Sequence, residues 1–554
     1  MNTLFFILFG IAWFIFAYYW YGNIIKNKVL RSTDQNPTPS HTLFDDKDYV
    51  PTNPIVLFGH HFSAIAGAGP IIGPILAYSY FGWLPALLWI LLGSVFIGAV
   101  HDYTSLITSV RNKGYSIVNI ADKVISPRAG FLFSIFVFLT LVLVIAVFAD
   151  LTARTLMEDP TIVLPTFGLI FIALLFAILH YRLKINVYIA TLISLIGLGL
   201  LLWGGQVIQI KASYEVWLIL ILAYCYIASI LPVWLLLQPR DYIAMYILII
   251  GMLLGYIGII FLHPNIQGPH YLSFFSKAGP LFPILFITIA CGAISGFHSL
   301  IASGTSAKQL DKESQGKAIA YGGMLTEGAL AFLVIMMVSS VLPFNGDPKG
   351  SFIGILTNKN ADILFGTALG LTVQSLGIPL VLGTSFGILM LNAFILTSLD
   401  AGTRLCRYIV QEGFGAKYGG ILKDKFFATT IVVVSALIIC LSGSYQKIWS
   451  VFGSANQLIG TLSLFVVTTY LLGIKAPKWY TLFPALFMLV VTETALIYQL
   501  VFSYIPKFDI VLIIITTLLI ILGIWVAIEA LTKIFKVKAE EPRMIEPTPV
   551  ENAK

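Results

Sequence analysis

The chain has 554 residues, of which 58% are hydrophobic and 11% are charged, and its mean hydropathy is +0.92. This composition excludes a soluble globular protein, because apolar runs long enough to cross a bilayer recur along the whole chain. The formal net charge of +7 comes from Lys and Arg in short loops, a pattern that sets membrane orientation and does not indicate nucleic-acid binding. The four cysteines are dispersed without a CxxC pair, so the sequence indicates neither a disulfide framework nor a metal cluster.

The first apolar run, residues 2–21, predicts a retained membrane anchor. It lacks a basic start, and the aromatic sequence YYWY at 18–21 stands where signal-peptide cleavage would need small residues. A polar loop of mixed charge follows over 22–53. We therefore expect an N-terminal unit over 1–53, made of an anchor helix and a cytoplasmic loop.

The next segment, NPIVLFGHHFSAIAGAGPIIGPILAY, predicts a helix that is broken inside the membrane. Gly67, Gly69 and Pro70 lie in the middle of this apolar run, where glycine and proline weaken or interrupt a helix. Broken backbone is tolerated in a bilayer only where protein or a water-filled cavity covers it, and many secondary transporters bind substrate and ion there. The alternative is a kinked packing helix whose small residues permit close helix contacts.

The hydrophobic pattern predicts about fifteen membrane-spanning helices in total. They are expected at 2–21, 54–80, 84–110, 130–150, 162–180, 186–205, 216–237, 242–262, 280–304, 318–343, 376–400, 427–445, 448–472, 480–503 and 509–533. The segment 362–374 is too mixed to span and predicts a short interfacial helix.

The basic residues predict the orientation of the chain. With these spans, the loops richest in Lys and Arg fall on one side, namely 111–128, 182–184, 308–317 and 404–425. The positive-inside rule then places the N-terminus outside and a polar tail over 536–554 in the cytoplasm.

A coarse internal repeat is indicated by a second interrupted span. Pro232 falls in the span 216–237 and Pro239 just after it. This span comes five spans after the broken helix at 54–80, and two helices that are an odd number of spans apart cross the membrane in opposite directions. Two interrupted helices at matching positions of inverted halves are typical of a five-plus-five transporter core. We expect this core over 54–400 and additional transmembrane helices over 401–535.

Ionisable side chains inside the predicted spans are the candidates for substrate binding or ion coupling. Those expected at a similar depth are His60, His61, His101, Asp102 and His298, with Glu327 slightly deeper. A layer of titratable groups on separate helices suits a proton relay or an anion pocket, because histidine titrates near physiological pH and a buried carboxylate can carry a proton. The alternative for each is a structural hydrogen bond, and Asp102 could also reach the membrane interface.

Several other polar residues have a functional and a structural interpretation. Ser303 and Thr305 belong to a hydroxyl-rich segment that suits Na⁺, although helix packing is the favoured interpretation. Asp400 and Arg404 are spaced i, i+4 and predict a structural or gating salt bridge, and Arg240 at a helix end suits a gate.

Five segments of the chain resemble one known family. GHHFSAIAGAGPIIGP, LPVWLLLQPRDY, ITIACGAISGFHSLIASGT, FILTSLDAGTR and FGSANQL are similar to the bacterial carbon-starvation protein A (CstA) family over about residues 50–460. In the last of them, Asn456 and Gln457 predict hydrogen bonds between helices. The resemblance implies an inner-membrane secondary transporter induced when carbon is scarce, with peptide uptake or proton-coupled pyruvate uptake. It also implies a fold of the amino acid–polyamine–organocation (LeuT-like) superfamily.

The resemblance identifies residues of this chain that match the family's motifs, but it does not identify which residues bind the substrate or the ion. The matching positions are His60, His61, Pro70, Asp102, His298 and Asp400. His101 stands where glutamine is expected in the family, which argues against a role for it.

The sequence therefore predicts an all-α polytopic membrane protein with a LeuT-like inverted-repeat core and discontinuous helices. Its expected function is ion-coupled symport of short peptides or pyruvate, with H⁺ or Na⁺ as coupling ion and no cofactor, metal or nucleic-acid partner. The broken helices at 54–80 and 216–237 are expected to form the site. One alternative is a passive channel. Another is a membrane-embedded metal hydrolase built on His60, His61, His101 and Asp102, which is disfavoured because the sequence has no HExxH motif. ATP-driven transport by this chain is disfavoured because the sequence has no GxxxxGK[ST] phosphate-binding loop.

Overall fold

A computed structural model describes residues 2–415, 419–442 and 445–536, without the side chains of 442–448. The tail predicted over 536–554 lies outside the described residues, except for Lys536. The described residues are mostly helical and include one small hairpin, in which β1 (Phe275–Ser276) pairs antiparallel with β2 (Gly279–Pro280).

Twenty-four α-helices follow one another in the described residues. The first thirteen are α1 (Thr3–Tyr19), α2 (Tyr21–Ile24), α3 (Pro39–Thr42), α4 (Pro54–Ile65), α5 (Gly69–Phe81), α6 (Trp83–Gly93), α7 (Ala99–Arg111), α8 (Ile117–Val124), α9 (Pro127–Glu158), α10 (Val163–Ala177), α11 (Val187–Val207), α12 (Tyr214–Ile230) and α13 (Leu237–Leu262). The rest are α14 (Leu281–Thr288), α15 (Gly296–Ile301), α16 (Ala307–Gln309), α17 (Gly322–Val341), α18 (Phe352–Asn358), α19 (Ala361–Gln374), α20 (Leu380–Tyr408), α21 (Lys425–Ser442), α22 (Tyr445–Gly473), α23 (Trp479–Gln499) and α24 (Ile510–Lys536).

Short π-helical and 3₁₀ segments extend or join these helices. The π segments are Ile25–Leu30, Ser94–Gly98, Ile178–Arg182, Ala302–Ser306, Lys317–Tyr321, Ile409–Phe414 and Leu500–Tyr504, and the 3₁₀ turns are Pro160–Ile162, Glu313–Gln315 and Gly420–Lys423.

Twelve helical stretches in the described residues are long and apolar enough to cross a membrane. Each of the fifteen predicted spans coincides with a helical stretch, but three of them fall short of this length. The span at 216–237 is the 17-residue α12, the span at 280–304 is interrupted between α14 and α15, and the span at 427–445 is the short α21. The short helix predicted at 362–374 is α19, a helix of 14 residues.

The predicted break in the first motif is present. Asn53 caps α4 by accepting a hydrogen bond from the Ile55 amide (2.9 Å), and α4 ends at Ile65. The backbone leaves the helical conformation at Ala66 (ψ 34°), and α5 starts again at Gly69 with Pro70 in its first turn. The glycines and proline therefore interrupt the helix in the middle of the apolar run.

The break that faces this one lies between α14 and α15. A Cβ atom on Gly69 would lie 2.4 Å from both Cβ and Sγ of Cys291, and one on Gly73 would lie 2.7 Å from the carbonyl oxygen of Thr288. Only glycine permits so close an approach of two backbones. The interruption near Pro232, between α12 and α13, lies elsewhere, beside Arg404.

The loops at one end of the helix bundle contact one another and carry most of the basic residues; we call this the basic end. There Tyr49 donates a hydrogen bond to the Lys113 carbonyl oxygen (3.1 Å), and Arg111 forms an ion pair with Glu313 (2.6 Å). At the opposite end, the backbone amide of Gln267 donates to the carbonyl oxygen of Ser339 (2.9 Å).

Candidate functional site

Four titratable side chains from three helices meet in a cluster beside the two facing breaks. We call His101, Asp102, His298 and Glu327 the histidine–carboxylate cluster. They come from α7, α15 and α17, and all four are fully buried.

The cluster is organised around His298. Its Nδ1 lies 2.9 Å from Oδ2 of Asp102, and its Nε2 lies 3.3 Å from Oε2 of Glu327. The other oxygen of Asp102, Oδ1, lies 2.7 Å from Nδ1 of His101. Because an ionised carboxylate only accepts hydrogen bonds, Nδ1 of each histidine donates to Asp102, and Nε2 of His298 is left facing Glu327.

Glu327 and His298 form a pair of polar groups that lacks a hydrogen bond of good geometry. Both carboxyl oxygens of Glu327 and Nε2 of His298 are buried without a hydrogen-bond partner. A single proton between Nε2 of His298 and the carboxyl group of Glu327 would form a hydrogen bond between them, and each buried group would then have a hydrogen-bond partner. The geometry allows His298 and Glu327 to share one proton.

Cys291 lies beside the same pair, in the unwound segment between α14 and α15. One atom from each of Cys291, His298 and Glu327 lies within 4.8 Å of the others, so this is the group of described residues that is close enough to hold a small cation.

The unwound segment that precedes the helix of His298 is held by hydrogen bonds from α22 and α6. Asn456 accepts from the Phe297 amide (2.9 Å) and donates to Ser295 (2.9 Å), while Gln457 donates to the Phe286 carbonyl oxygen (2.7 Å). Trp89 donates to the carbonyl oxygen of Ile289 (3.1 Å). The bonds between helices that the sequence predicts for Asn456 and Gln457 are thus present, and they satisfy backbone groups freed by the break.

A second group of buried charges ties the first broken helix to three other helices. We call His60, Tyr224, Arg240, Asp241 and Asp400 the arginine network. His60 donates to Asp241 (2.8 Å), Arg240 pairs with Asp241 (3.3 Å) and makes a short contact with Asp400. Tyr224 of α12 also donates to Asp400 (2.7 Å).

The predicted pairing of Asp400 with Arg404 is wrong, because each residue points to a different partner. Asp400 binds Arg240, whereas Arg404 donates to the backbone carbonyl oxygens of Ala228 and Leu231. Arg404 therefore caps the end of α12, which has free carbonyl groups there.

The two adjacent histidines face different neighbours. His61 shares a hydrogen bond with Ser306 (2.8 Å), while His60 belongs to the arginine network. His60 and His61 therefore belong to different hydrogen-bonded groups, although they are adjacent in the chain.

The hydroxyl groups considered for Na⁺ are engaged with backbone. Ser303 donates to the Ser299 carbonyl oxygen (2.6 Å) and accepts from the Ile117 amide (3.0 Å), and Thr305 donates to the Ile301 carbonyl oxygen (3.1 Å). Their placement agrees with the packing interpretation.

Among the other candidates, the structure brings Gly69 and Pro70 against the second break. Gly67 packs against Ser398, where an added Cβ would lie 2.8 Å from the hydroxyl oxygen. Pro232 lies in the half-buried connection between α12 and α13, away from both breaks.

Sequence reasoning missed Asp241, Tyr224 and Cys291. No sequence motif singles out Asp241, which directly follows Arg240, or Cys291, which stands apart from any CxxC pair. A signal for Asp241 existed, because a carboxylate next to arginine in an apolar stretch needs a buried partner.

Comparison with known proteins agrees with the resemblance of the sequence motifs. A family described as "Carbon starvation protein CstA" matches residues 2–346 and 352–495. The peptide transporter CstA of Bacillus subtilis (strain 168) is 33% identical over 87% of this chain and 87% of its own length. The pyruvate/proton symporter BtsT of Escherichia coli (strain K12) is 31% identical over 92% of this chain and 83% of its own length.

Solved transporter structures also align along the chain, at low identity. A manganese transporter of Eremococcus coleocola is 12% identical with a TM-score of 0.49, and covers 89% of this chain and 99% of its own. A Na⁺-coupled sialic acid symporter is 13% identical with a TM-score of 0.44, and covers 95% of this chain and 97% of its own. The curated relatives are named as transporters and not as enzymes, and the match over most of the sequence shows that the chain belongs to the CstA carbon-starvation family of membrane transporters.

Proposed function

We propose that this transporter is a proton-coupled symporter that imports small carboxylate-bearing nutrients, short peptides or pyruvate, across the cytoplasmic membrane. The observation that carries the proposal is the position of His298, held between Asp102 and Glu327 beside two facing helix breaks. The names of the relatives support peptides and pyruvate as the substrate classes.

The charge of the histidine–carboxylate cluster favours proton uptake. With neutral histidines and ionised Asp102 and Glu327, the cluster holds two negative charges away from water, which is costly inside a membrane. Protonation of the pair formed by His298 and Glu327 removes one of these charges and supplies the missing hydrogen bond. Proton binding is thereby linked to the arrangement of α15 and α17.

The facing breaks are the proposed substrate region of a LeuT-like core. The first turn of α5 starts at Gly69, and the N-terminus of a helix has a partial positive charge that suits a carboxylate. The partner break in this proposal is the one between α14 and α15, because it touches Gly69 and leads directly into the helix that carries His298.

Alternating access follows from rearrangement of the broken helices against the helices around them. The arginine network joins α4 to α12, α13 and α20 through His60, Tyr224, Arg240 and Asp400. A buried, multiply bonded charge network is suited to a two-state gate, because its partners are either all engaged or separated by a defined movement.

The proposed orientation places the basic end in the cytoplasm and the N-terminus outside, as the positive-inside rule requires. Expression under carbon limitation is the physiological setting that the family's description suggests.

The test is uptake by the purified protein in liposomes. Labelled dialanine and labelled pyruvate are each supplied with an imposed proton gradient and, separately, with a sodium gradient. We expect accumulation above equilibrium under the proton gradient alone. Accumulation that needs sodium would reassign the coupling ion, and equilibration without accumulation would indicate a passive channel.

A further inference from the structure

A cavity of about 430 Å³ opens among the loops of the basic end, apart from the histidine–carboxylate cluster. It runs from Tyr49 and Ser116 to the buried residues Leu300 and Gly304, which belong to the helical stretch that carries His298. Its volume lies within the range of about 300–1,000 Å³ that is usual for sites of small ligands.

Lys308 is an almost fully buried cation in the wall of this cavity. Its exposed fraction is 9%, and its Nζ lies 5.3 Å from the ring centre of Tyr49 and 5.0 Å from that of Tyr408. Among the described residues its ammonium group has no hydrogen-bond or ion-pair partner, although buried charges in proteins are normally paired. The two rings hold the ammonium in place by cation–π interactions and leave its N–H donors for an anion.

The surroundings of Lys308 keep it charged. Burial opposes the ammonium form, but electrostatic interactions with Tyr408, Glu412, Tyr49 and Asp48 outweigh that effect, so the pKa of Lys308 is raised.

The other charged residues of the cavity indicate which kind of ligand fits beside Lys308. The charged residues that line it are Lys308, Asp48 and Glu412, so one cation faces two carboxylates. Asp48 accepts a hydrogen bond from Tyr408 (3.0 Å) and lies 3.8 Å from the guanidinium of Arg404, whereas Glu412 has a long contact with Asn119 (3.4 Å). Glu412 is therefore the carboxylate left for a ligand, and a ligand that carries both a carboxylate and an ammonium group satisfies Lys308 and Glu412 together.

We propose that this cavity binds a short zwitterionic peptide, with the C-terminal carboxylate on Lys308 and the N-terminal ammonium on Glu412. The proposal rests on the transport function proposed above and adds to it a second binding site, at the basic end, besides the substrate region between the facing breaks. A ligand there lies against the stretch that follows α15, so its binding is linked mechanically to the helix of His298.

The test is direct binding of labelled dialanine to the full chain in detergent, without any ion gradient. We expect Lys308→Met and Glu412→Gln each to weaken binding by about tenfold or more, since each removes a charge-assisted hydrogen bond. Lys312→Met is the matched control, because Lys312 is exposed on the same end and does not line the cavity; its affinity is expected to equal that of the unmodified chain.

Modified ligands identify which end of the peptide each residue binds. N-acetyl-dialanine lacks the ammonium group, so it should compete about tenfold less well with the unmodified chain, and Glu412→Gln should abolish this preference. Pyruvate should compete weakly. The proposal is overturned if Lys308→Met binds dialanine as tightly as the unmodified chain does, or if pyruvate competes as well as dialanine. If Lys308→Met fails to fold, the competition by N-acetyl-dialanine decides instead: equal competition by the acetylated and the free peptide overturns the proposal.

The binding experiment and the uptake experiment fail independently. Dialanine binding that depends on Lys308, without gradient-driven accumulation, refutes proton coupling and leaves the site intact. Proton-driven accumulation with normal binding by Lys308→Met refutes the site and leaves the proposed transport function intact.

Discussion

His298 donates a hydrogen bond of 2.9 Å to Asp102, and this bond joins the helix that follows the second break to α7. Both side chains are fully buried, so the bond is not weakened by competition with water. Through it, a change of charge at His298 or Glu327 acts directly on the contact between two helices.

Replacement of Asp102 by asparagine is expected to abolish gradient-driven uptake while the protein stays folded. The amide keeps the size of the side chain but removes the negative charge that holds both histidines as donors. We expect uptake under a proton gradient to fall at least about a hundredfold, consistent with the loss of a charge-assisted hydrogen bond in the coupling step. Uptake in liposomes is the measurement, and a melting curve in detergent checks the fold.

His101→Gln is the matched control for this variant. His101 donates to the same carboxylate over 2.7 Å, and a glutamine amide can replace that donor. We expect uptake within about twofold of the unmodified chain. Asp102→Asn with normal uptake, or His101→Gln with none, contradicts the central role of the bond between Asp102 and His298.

Replacement of Glu327 by glutamine is expected to separate exchange from accumulation. The neutral amide mimics the protonated carboxyl group permanently, so the substrate can still be exchanged but the proton can no longer be released. Counterflow of labelled substrate should persist, whereas accumulation under a proton gradient should be lost. Glu493→Gln, at another buried glutamate on α23, is the control and should accumulate normally. Loss of counterflow and accumulation together in Glu327→Gln would favour a structural role.

The sequence predicts a layer of titratable groups, because depth in a membrane is readable from sequence, but it does not predict which members of the layer meet in the histidine–carboxylate cluster. His298, Asp102 and Glu327 stand at comparable distances from the ends of their predicted spans, and charged residues at such depth need partners. What the sequence did not give was the direction of each side chain around its helix axis, which the packing of neighbouring helices sets. His61 and His60 illustrate this, since the structure turns them to Ser306 and Asp241.

The sequence places the second break at Pro232, because proline is the clearest marker of an interrupted helix, whereas in the structure the break that faces α5 lies between α14 and α15. Pro232 does interrupt the chain between α12 and α13, but the break that faces α5 contains Gly292 and Ser295 and no proline. Glycine is a weaker signal, because it breaks a helix only where side chains of other helices, here Asn456 and Gln457, satisfy the freed backbone groups. Such long-range partners are not visible in one sequence.

Replacement of Arg240 by methionine is expected to destabilise the protein strongly. The change leaves Asp400 and Asp241 buried without their shared cation, and breaking a buried pair in this way costs about 3–5 kcal/mol. The measurement is the midpoint of thermal unfolding in detergent. The double variant Arg240→Met/Asp400→Asn should regain part of the loss, because the uncompensated carboxylate is then removed.

Arg154→Met provides the comparison for Arg240→Met. Arg154 pairs with Asp150 at i, i+4 over 2.9 Å, and its own side chain is 33% exposed while that of Asp150 is 2% exposed. Asp150 also accepts a hydrogen bond from Tyr214, so it keeps one partner when Arg154 is removed. We therefore expect a smaller shift of the unfolding midpoint than for Arg240→Met, which takes the shared cation from two buried carboxylates. Equal shifts in the two variants would mean that the burial of the cation does not set the strength of the arginine network.

Replacement of Gly69 by alanine is expected to force the two breaks apart. The new methyl group would lie 2.4 Å from Cβ and Sγ of Cys291, closer than any ordinary carbon contact, and overpacking of this kind typically costs about 1–3 kcal/mol. We expect a lower unfolding midpoint and impaired uptake, and both should recover in Gly69→Ala/Cys291→Gly, which removes the clashing side chain. Gly199→Ala, where an added Cβ meets nothing within 4 Å, is the matched control and should change neither quantity. If Gly69→Ala behaves like Gly199→Ala, the close approach of the two breaks is not needed for transport, and the substrate region must be sought elsewhere.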